Sequence, residues 1–285
     1  MAILLPSVLN DALRLLNDAA VRQAFEVLKK NFNAAIQARI TGTKEIALQG
    51  EFIELFFDDV LEYVRFPRDG WHIQREFTSE TSNERADAAI ARNSDMHHVI
   101  GVVELKGTDT HDLKSVEKQV FTYFHQHPNC HYAIASNYQS VRLYIDNNQG
   151  YEEFNIFDIV NHNDYERFRY LYCYLHRDAI LGTRTKELRE KTVIKEQKIT
   201  NELYELYKKL RIQLHTDLKA YNRTVNPYLL YQKTQKLLDR FLFILFAEDK
   251  DLLPRFTVKT HINRWVQDGR KGTLIEVFFK PCFTT

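Results

Sequence analysis

The spacing of hydrophobic residues changes along the chain, and each change predicts a different kind of structure. Apolar residues recur at helical spacing near the start, as in Leu9, Leu13 and Leu16, and again between residues 48 and 60. The sequence Pro67-Arg68-Asp69-Gly70 is typical of a turn. Beyond this turn the hydrophobic period becomes two, which predicts three strands at residues 71–77, 86–91 and 98–105.

A helix and further strands are predicted next. Leu113, Val116, Val120 and Tyr123 return to a helical period, which Pro128 stops. Strand patterns follow at residues 131–136, 141–145 and 151–156. A helix, three strands, a helix and more strands indicate an α/β fold with a mostly buried sheet.

From residue 158 the pattern is helical, with an interruption at Gly182, and Pro227 opens a further helix that runs through Ala247. One stripe of a long helix is apolar, whereas its other faces carry Lys and Arg; the stripe comprises Ile199, Leu203, Leu206, Leu210 and Leu214. We therefore predict an N-terminal helical segment at residues 1–43, an α/β domain at residues 44–156 and an all-α domain at residues 157–285.

Composition and charge exclude several classes of protein. The 285 residues include 39 Lys and Arg against 38 Asp and Glu, which argues against a strongly basic DNA-coating protein and an acidic tail protein. The 3 cysteines have no paired spacing, which favours a reducing compartment. The N-terminus lacks the basic segment of a signal peptide, and no apolar run could span a bilayer. We expect a cytoplasmic protein with no membrane partner.

The residues with the most informative chemistry are Asp87, Glu104 and Lys106. If strands 86–91 and 98–105 form a hairpin, the midpoint between Asp87 and Glu104 falls at its polar tip. The two carboxylates would then be cross-strand neighbours, with Cβ atoms roughly 5 Å apart. Lys106 shares a strand face with Glu104 because side chains alternate with a period of two.

Two facing carboxylates beside an apolar strand are unfavourable unless a positive charge lies between them. A hard divalent cation with oxygen ligands, such as Mg²⁺, meets this need, and Asp87 and Glu104 are the candidate ligands. Lys106 could then orient an attacking water or stabilise charge on a phosphate. A simple ion pair between Lys106 and Glu104 at a sheet edge is the structural alternative.

Asp87, a gap of hairpin length and Glu104-Leu105-Lys106 resemble the D…ExK signature of the PD-(D/E)XK nuclease superfamily. Ala86 stands where that signature has proline. The predicted order of helix, three strands, helix and strand also resembles the core of restriction endonucleases in this superfamily. The resemblance implies a Mg²⁺-dependent endonuclease that hydrolyses DNA phosphodiester bonds.

The resemblance assigns roles to further residues. It implies that the backbone carbonyl of Leu105 is an additional metal ligand, and that an acidic residue of the first helix, Glu51 or Glu45, approaches the metal. Gln119 and Tyr123 share a helix face and resemble the QxxxY element that follows ExK in restriction subunits. We expect Gln119 to orient the site and Tyr123 to support it.

The helical region around residues 236–254 resembles the connector that leads into the methyltransferase half of type IIG restriction-modification enzymes. No Gly-rich loop for S-adenosylmethionine follows a strand, and Asn226-Pro227-Tyr228 is the nearest match to an NPPY motif. We therefore expect the nuclease and connector region of a type II restriction enzyme, either as a piece of a longer protein or as the product of a truncated gene. The expected partners are double-stranded DNA, a methyltransferase or specificity module outside this chain, and a second copy that dimerises transiently on DNA.

Two alternatives remain open from the sequence. One is a repair or recombination nuclease of the same fold, which would act on branched or single-stranded DNA. The other is a DNA-binding or scaffolding domain that keeps the fold without turnover.

Overall fold

The computed structural model describes residues 3–43, 45–78, 85–92, 94–126, 129–146, 150–267 and 269. The chain divides into two compact units, Met1–Glu196 and Gln197–Thr285. The boundaries predicted after residues 43 and 156 both fall inside the first unit. The physical reason is that residues on either side of them, such as Phe25 and Phe168, belong to one buried hydrophobic cluster.

Short helices account for much of the first unit outside its sheet. Their bounds are α1 (Pro6–Leu13), α2 (Asp18–Asn31), α3 (Ala34–Thr41), α4 (Glu45–Phe52), α5 (Glu117–Gln126), α6 (Ile156–Asn161), α7 (Tyr165–Leu175) and α8 (Arg177–Leu181), and α9 (Arg184–Tyr221) begins here. The side chains of Asn17 and Asn33 cap α2 and α3 by accepting hydrogen bonds from backbone N–H groups of the first turn. Helix α4 runs into one π-helical turn at Ile53–Asp58.

The sheet has six strands in sequential order, which are β1 (Ile73–Thr78), β2 (Arg85–Ala91), β3 (Val99–Leu105), β4 (Tyr132–Ser136), β5 (Ser140–Ile145) and β6 (Tyr151–Asn155). Strands β3 and β4 are parallel, and every other neighbouring pair is antiparallel. The parallel pair follows from α5, since a crossover helix returns the chain to the end of the sheet where β3 began. The predicted α/β class is confirmed, with a mixed sheet.

Both faces of the sheet are covered, and this explains why β3 is buried along its whole length. Val103 and Leu105 belong to the cluster that includes the N-terminal helices. Val102 belongs to a second cluster on the opposite face, together with Tyr123 of α5. Because side chains alternate along a strand, Glu104 lies on the same face as Val102 and therefore on the α5 side.

All the regular secondary structure among the described residues of the second unit is helical. It contains the remainder of α9 together with α10 (Pro227–Asp249) and α11 (Thr257–Gln267). Its buried cluster is small and centres on Ile244, whereas Leu203 and Leu206 of the predicted apolar stripe are 52% and 53% exposed. In the described part of the chain, none of the helices has the length and hydropathy needed to cross a membrane.

Candidate active site

Asp87 and Glu104 are neighbours at one end of the β2–β3 hairpin. The antiparallel register pairs Ala88 with Val103, so the next step along each strand brings Asp87 opposite Glu104. The backbone N–H of Leu105 donates a hydrogen bond of 2.7 Å to Asp87 Oδ2 across the same strands. The structure therefore brings together the two carboxylates that the hairpin spacing had paired.

The carboxylate of Asp87 is oriented from two directions. Gln49 of α4 donates a hydrogen bond of 2.8 Å from Nε2 to Oδ1, while Leu105 binds Oδ2 from the neighbouring strand. Because a carboxylate oxygen has more than one lone pair, both oxygens retain capacity for a further ligand. The side chain is half-buried, so one side of it remains accessible.

Glu104 is the buried carboxyl group of the site. Only 3% of the residue is exposed, and burial raises the pKa of its side chain from 4.5 to about 7. The hydrogen bond from Lys106 lowers this pKa and the negative charge of Asp87 raises it. Oε2 is buried and has no hydrogen-bond partner among the described residues. An acceptor buried in this way costs free energy, and a bound cation removes that cost.

Lys106 lies next to Glu104 on the same face of the chain. Its Nζ donates a hydrogen bond of 2.6 Å to Glu104 Oε1, and its side chain is 31% exposed. Its backbone N–H donates to the carbonyl of Ser136 at 2.8 Å, which fixes the position of the residue directly after β3. The ammonium therefore lies between the buried carboxylate and the solvent. An ion pair of this kind is also what the structural alternative predicts, and it satisfies only one oxygen of Glu104.

Helix α5 covers this face of the sheet and contributes the two residues predicted from the QxxxY spacing. The side-chain amide of Gln119 is close enough to Glu104 to lower the pKa of its carboxyl group. Tyr123 is fully buried in the cluster beneath α5. Gln119 is thus beside Glu104, whereas Tyr123 packs beneath the helix that carries both residues.

Glu51 is not part of the site formed by Asp87, Glu104 and Lys106. Both of its carboxylate oxygens accept hydrogen bonds from the guanidinium of Arg39, which lowers the pKa of Glu51. Among the described side chains of α4, Gln49 donates a hydrogen bond to Asp87. Residues that are two positions apart in an α-helix are separated by about 200° around its axis. Gln49 and Glu51 therefore point in nearly opposite directions. The side chain of the other candidate, Glu45, lies outside the described residues.

The chemistry of the donor set determines whether Mg²⁺ fits here. Within the described ranges, no cluster of three or more His, Cys, Asp and Glu side chains has metal-binding geometry. The site at Asp87 and Glu104 instead contains two carboxylates beside the backbone of Leu105. Mg²⁺ commonly binds through one or two carboxylates and keeps several waters, so this smaller set is adequate for it. The unpartnered Oε2 of Glu104 fits the same interpretation.

No protein-family model, no curated protein and no solved structure matches this chain. The chemical groups that bear on its activity are the side chains at the end of the β2–β3 hairpin. Those side chains form a compact arrangement of Asp87, Glu104 and Lys106, with Gln49 and Gln119 beside them.

Proposed function

We propose that this protein is a Mg²⁺-dependent DNA endonuclease of the PD-(D/E)XK type. The observation that carries the proposal is Glu104, a buried carboxyl group with one unpartnered oxygen, which lies beside Asp87 and is hydrogen-bonded to Lys106. A structural ion pair would need only Lys106 and Glu104. It would not require a second carboxylate, Asp87, held in place from both α4 and β3.

Asp87, Glu104 and the backbone carbonyl of Leu105 are the groups that would hold Mg²⁺. When bound, the ion would supply Lewis acidity at the phosphate and would lower the pKa of a water that attacks it. Gln49 keeps Asp87 turned toward its strand neighbour by donating to Oδ1. Because Leu105 N–H occupies Oδ2 in the same way, Asp87 loses little conformational freedom when a ligand binds.

Lys106 acts on the reacting groups. Its ammonium can orient the attacking water by a hydrogen bond and stabilise negative charge that develops on the phosphate. Hydrolysis consumes one water: its oxygen bonds to phosphorus, the bond from phosphorus to one sugar oxygen breaks, and a proton passes to that departing oxygen. Gln119 orients Glu104 from α5 and Tyr123 holds α5 against the sheet.

The wider proposal is that the chain is the endonuclease and connector region of a type IIG restriction-modification enzyme. The D…ExK spacing, the QxxxY spacing on α5 and the helical region that follows all support it. On this proposal the protein acts in the cytoplasm on double-stranded DNA. It works with a methyltransferase or specificity module outside this chain and dimerises transiently on DNA to cut both strands.

The proposal is tested by incubating the full chain with supercoiled plasmid in Mg²⁺, in Mn²⁺ and in chelator. We expect metal-dependent nicking that is lost in Glu104→Ala and in Lys106→Ala. Lys30→Ala, which removes an exposed lysine from α2, is the charge-matched control and should nick like the wild type.

Other outcomes select between the alternatives. Cleavage confined to branched or single-stranded DNA would contradict a restriction enzyme and favour a repair or recombination nuclease. DNA binding that needs no metal, without cutting of any of these substrates, would contradict an enzyme and favour a scaffold.

A further inference from the structure

Gly50 occupies an interior position of helix α4, where glycine is less favourable than alanine. A Cβ atom at this position would lie 2.8 Å from Nη1 of Arg75 and 3.5 Å from its Cζ. The guanidinium of Arg75 therefore packs directly against the backbone of α4. The absence of a side chain at residue 50 is what allows this close approach.

The same stretch of α4 contacts the carboxylate site. Gln49, the residue before Gly50, donates its hydrogen bond to Asp87. Arg75 lies on β1 and pairs with Ala88, the residue after Asp87. Arg75 and Asp87 thus contact consecutive residues of one helix from neighbouring strands, so the guanidinium lies at the edge of the candidate active site.

Arg75 differs from the other arginines near α4 and β1 because none of the described carboxylates pairs with it. Arg39 pairs with Glu51, and Arg85 pairs with Glu76. Among the residues that the structure describes, no carboxylate is within ion-pair distance of Arg75, and its side chain is exposed. A guanidinium that is positioned by packing and faces solvent is available to bind an external anion.

In a nuclease, the anion that this guanidinium would meet is a phosphate of the DNA. A guanidinium can bind two phosphate oxygens at once, and arginine contacts to the DNA backbone fix the register of a protein on its substrate. We propose that Arg75 binds a backbone phosphate of DNA adjacent to the phosphate that is cleaved, and that Gly50 makes room for its guanidinium. This inference rests on the proposed nuclease function and names a substrate-binding residue for it.

The test measures DNA binding by the full chain in Ca²⁺, which permits metal binding while limiting cleavage, across a series of salt concentrations. We expect Arg75→Ala to weaken binding about tenfold and to reduce the salt dependence by about one released ion. Arg75→Lys should recover part of the affinity, since it restores the charge without the paired donors. Lys30→Ala removes an equal charge from α2 and should leave affinity and salt dependence close to those of the wild type.

Gly50→Ala provides a second variant that separates binding from folding. The added methyl group would displace the guanidinium while alanine favours the helix. We therefore expect weaker DNA binding together with a melting temperature equal to or above that of the wild type. A merely structural role for Arg75 would not produce this combination.

Two results would overturn the inference by itself. One is a wild type that cuts DNA while Arg75→Ala binds DNA with unchanged affinity and salt dependence. The other is an Arg75→Ala variant with normal affinity that loses only cleavage at saturating DNA. A wild type that neither binds nor cuts DNA would instead contradict the proposed function, and the inference with it.

Discussion

Gln49 on α4 donates a hydrogen bond of 2.8 Å to Asp87 on β2, and this contact connects the helical layer to the carboxylate site. It uses one oxygen of Asp87, while the N–H of Leu105 uses the other. The orientation of the candidate metal ligand therefore depends on a neutral amide from the helix. Glu51, the acidic residue two positions along the helix, is engaged by Arg39.

We predict that Gln49→Ala lowers the rate of DNA cleavage about tenfold, because a hydrogen bond to a charged group contributes about 1.5 kcal/mol. Glu51→Gln should change cleavage by less than about twofold, since an exposed ion pair contributes little. Single-turnover cleavage over a range of Mg²⁺ concentrations measures both effects. The reverse order, with Glu51→Gln the more damaging change, would restore Glu51 to the site and remove Gln49 from it.

Glu104 makes stability depend on pH in the metal-free protein. Its pKa is about 7 in the folded state against an ordinary value of 4.5, so between these values the folded state holds a proton that the unfolded state has released. The contribution of this group to the free energy of unfolding is therefore fully present below the unfolded-state pKa of 4.5. It is lost as the pH rises through the folded-state pKa of about 7. The loss amounts to about 3 kcal/mol.

Glu104→Gln removes this titration and should be more stable than the wild type at about pH 8 in chelator, with a smaller difference at about pH 5. Urea unfolding at both pH values gives the comparison. If the two proteins show the same change in unfolding free energy between these pH values, the buried carboxyl group does not titrate as described.

The smallest fragment that folds is predicted to be larger than the sheet and its crossover helix. Leu28 and Phe32 precede the sheet, Leu171 and Leu175 follow it, and all four belong to the hydrophobic cluster on one of its faces. A fragment of residues 44–156 would expose this cluster to water, which is unfavourable. We expect residues 1–196 to unfold cooperatively in urea and residues 44–156 not to do so. A cooperative transition in the shorter fragment would contradict a single unit.

The hairpin at the centre of the site could be predicted because its spacing is symmetric. The midpoint between Asp87 and Glu104 falls within the polar tip, and strand periodicity then places Lys106 beside Glu104. The hydrogen bond from Gln49 to Asp87 could not be predicted in the same way. The rotation of α4 about its axis is set by how Leu48 and its neighbours pack in three dimensions, and a helical period alone does not determine it.

The domain boundaries were harder to predict for a related reason. Hydrophobic periodicity identifies helices and strands. Which helices pack on a given face of the sheet is determined by tertiary contacts between distant segments. Helix α9 shows the same limit: its leucine stripe predicts a helix correctly, yet Leu203 and Leu206 remain exposed. The contact between Arg75 and Gly50 also joins an exposed strand residue to a helix residue 25 positions earlier, and neither position carries a motif.

The most direct test of the central claim compares Mg²⁺-dependent nicking of supercoiled DNA by the wild type and by Glu104→Gln. The substitution keeps the size of the side chain and removes its negative charge, and the unfolding experiment shows whether the variant is folded. We predict that the wild type nicks and that Glu104→Gln is slower by on the order of a thousandfold, because the charge that we propose holds the metal is gone. A folded Glu104→Gln variant that nicks within about threefold of the wild type would contradict the assignment of Asp87 and Glu104 as the metal site of a nuclease.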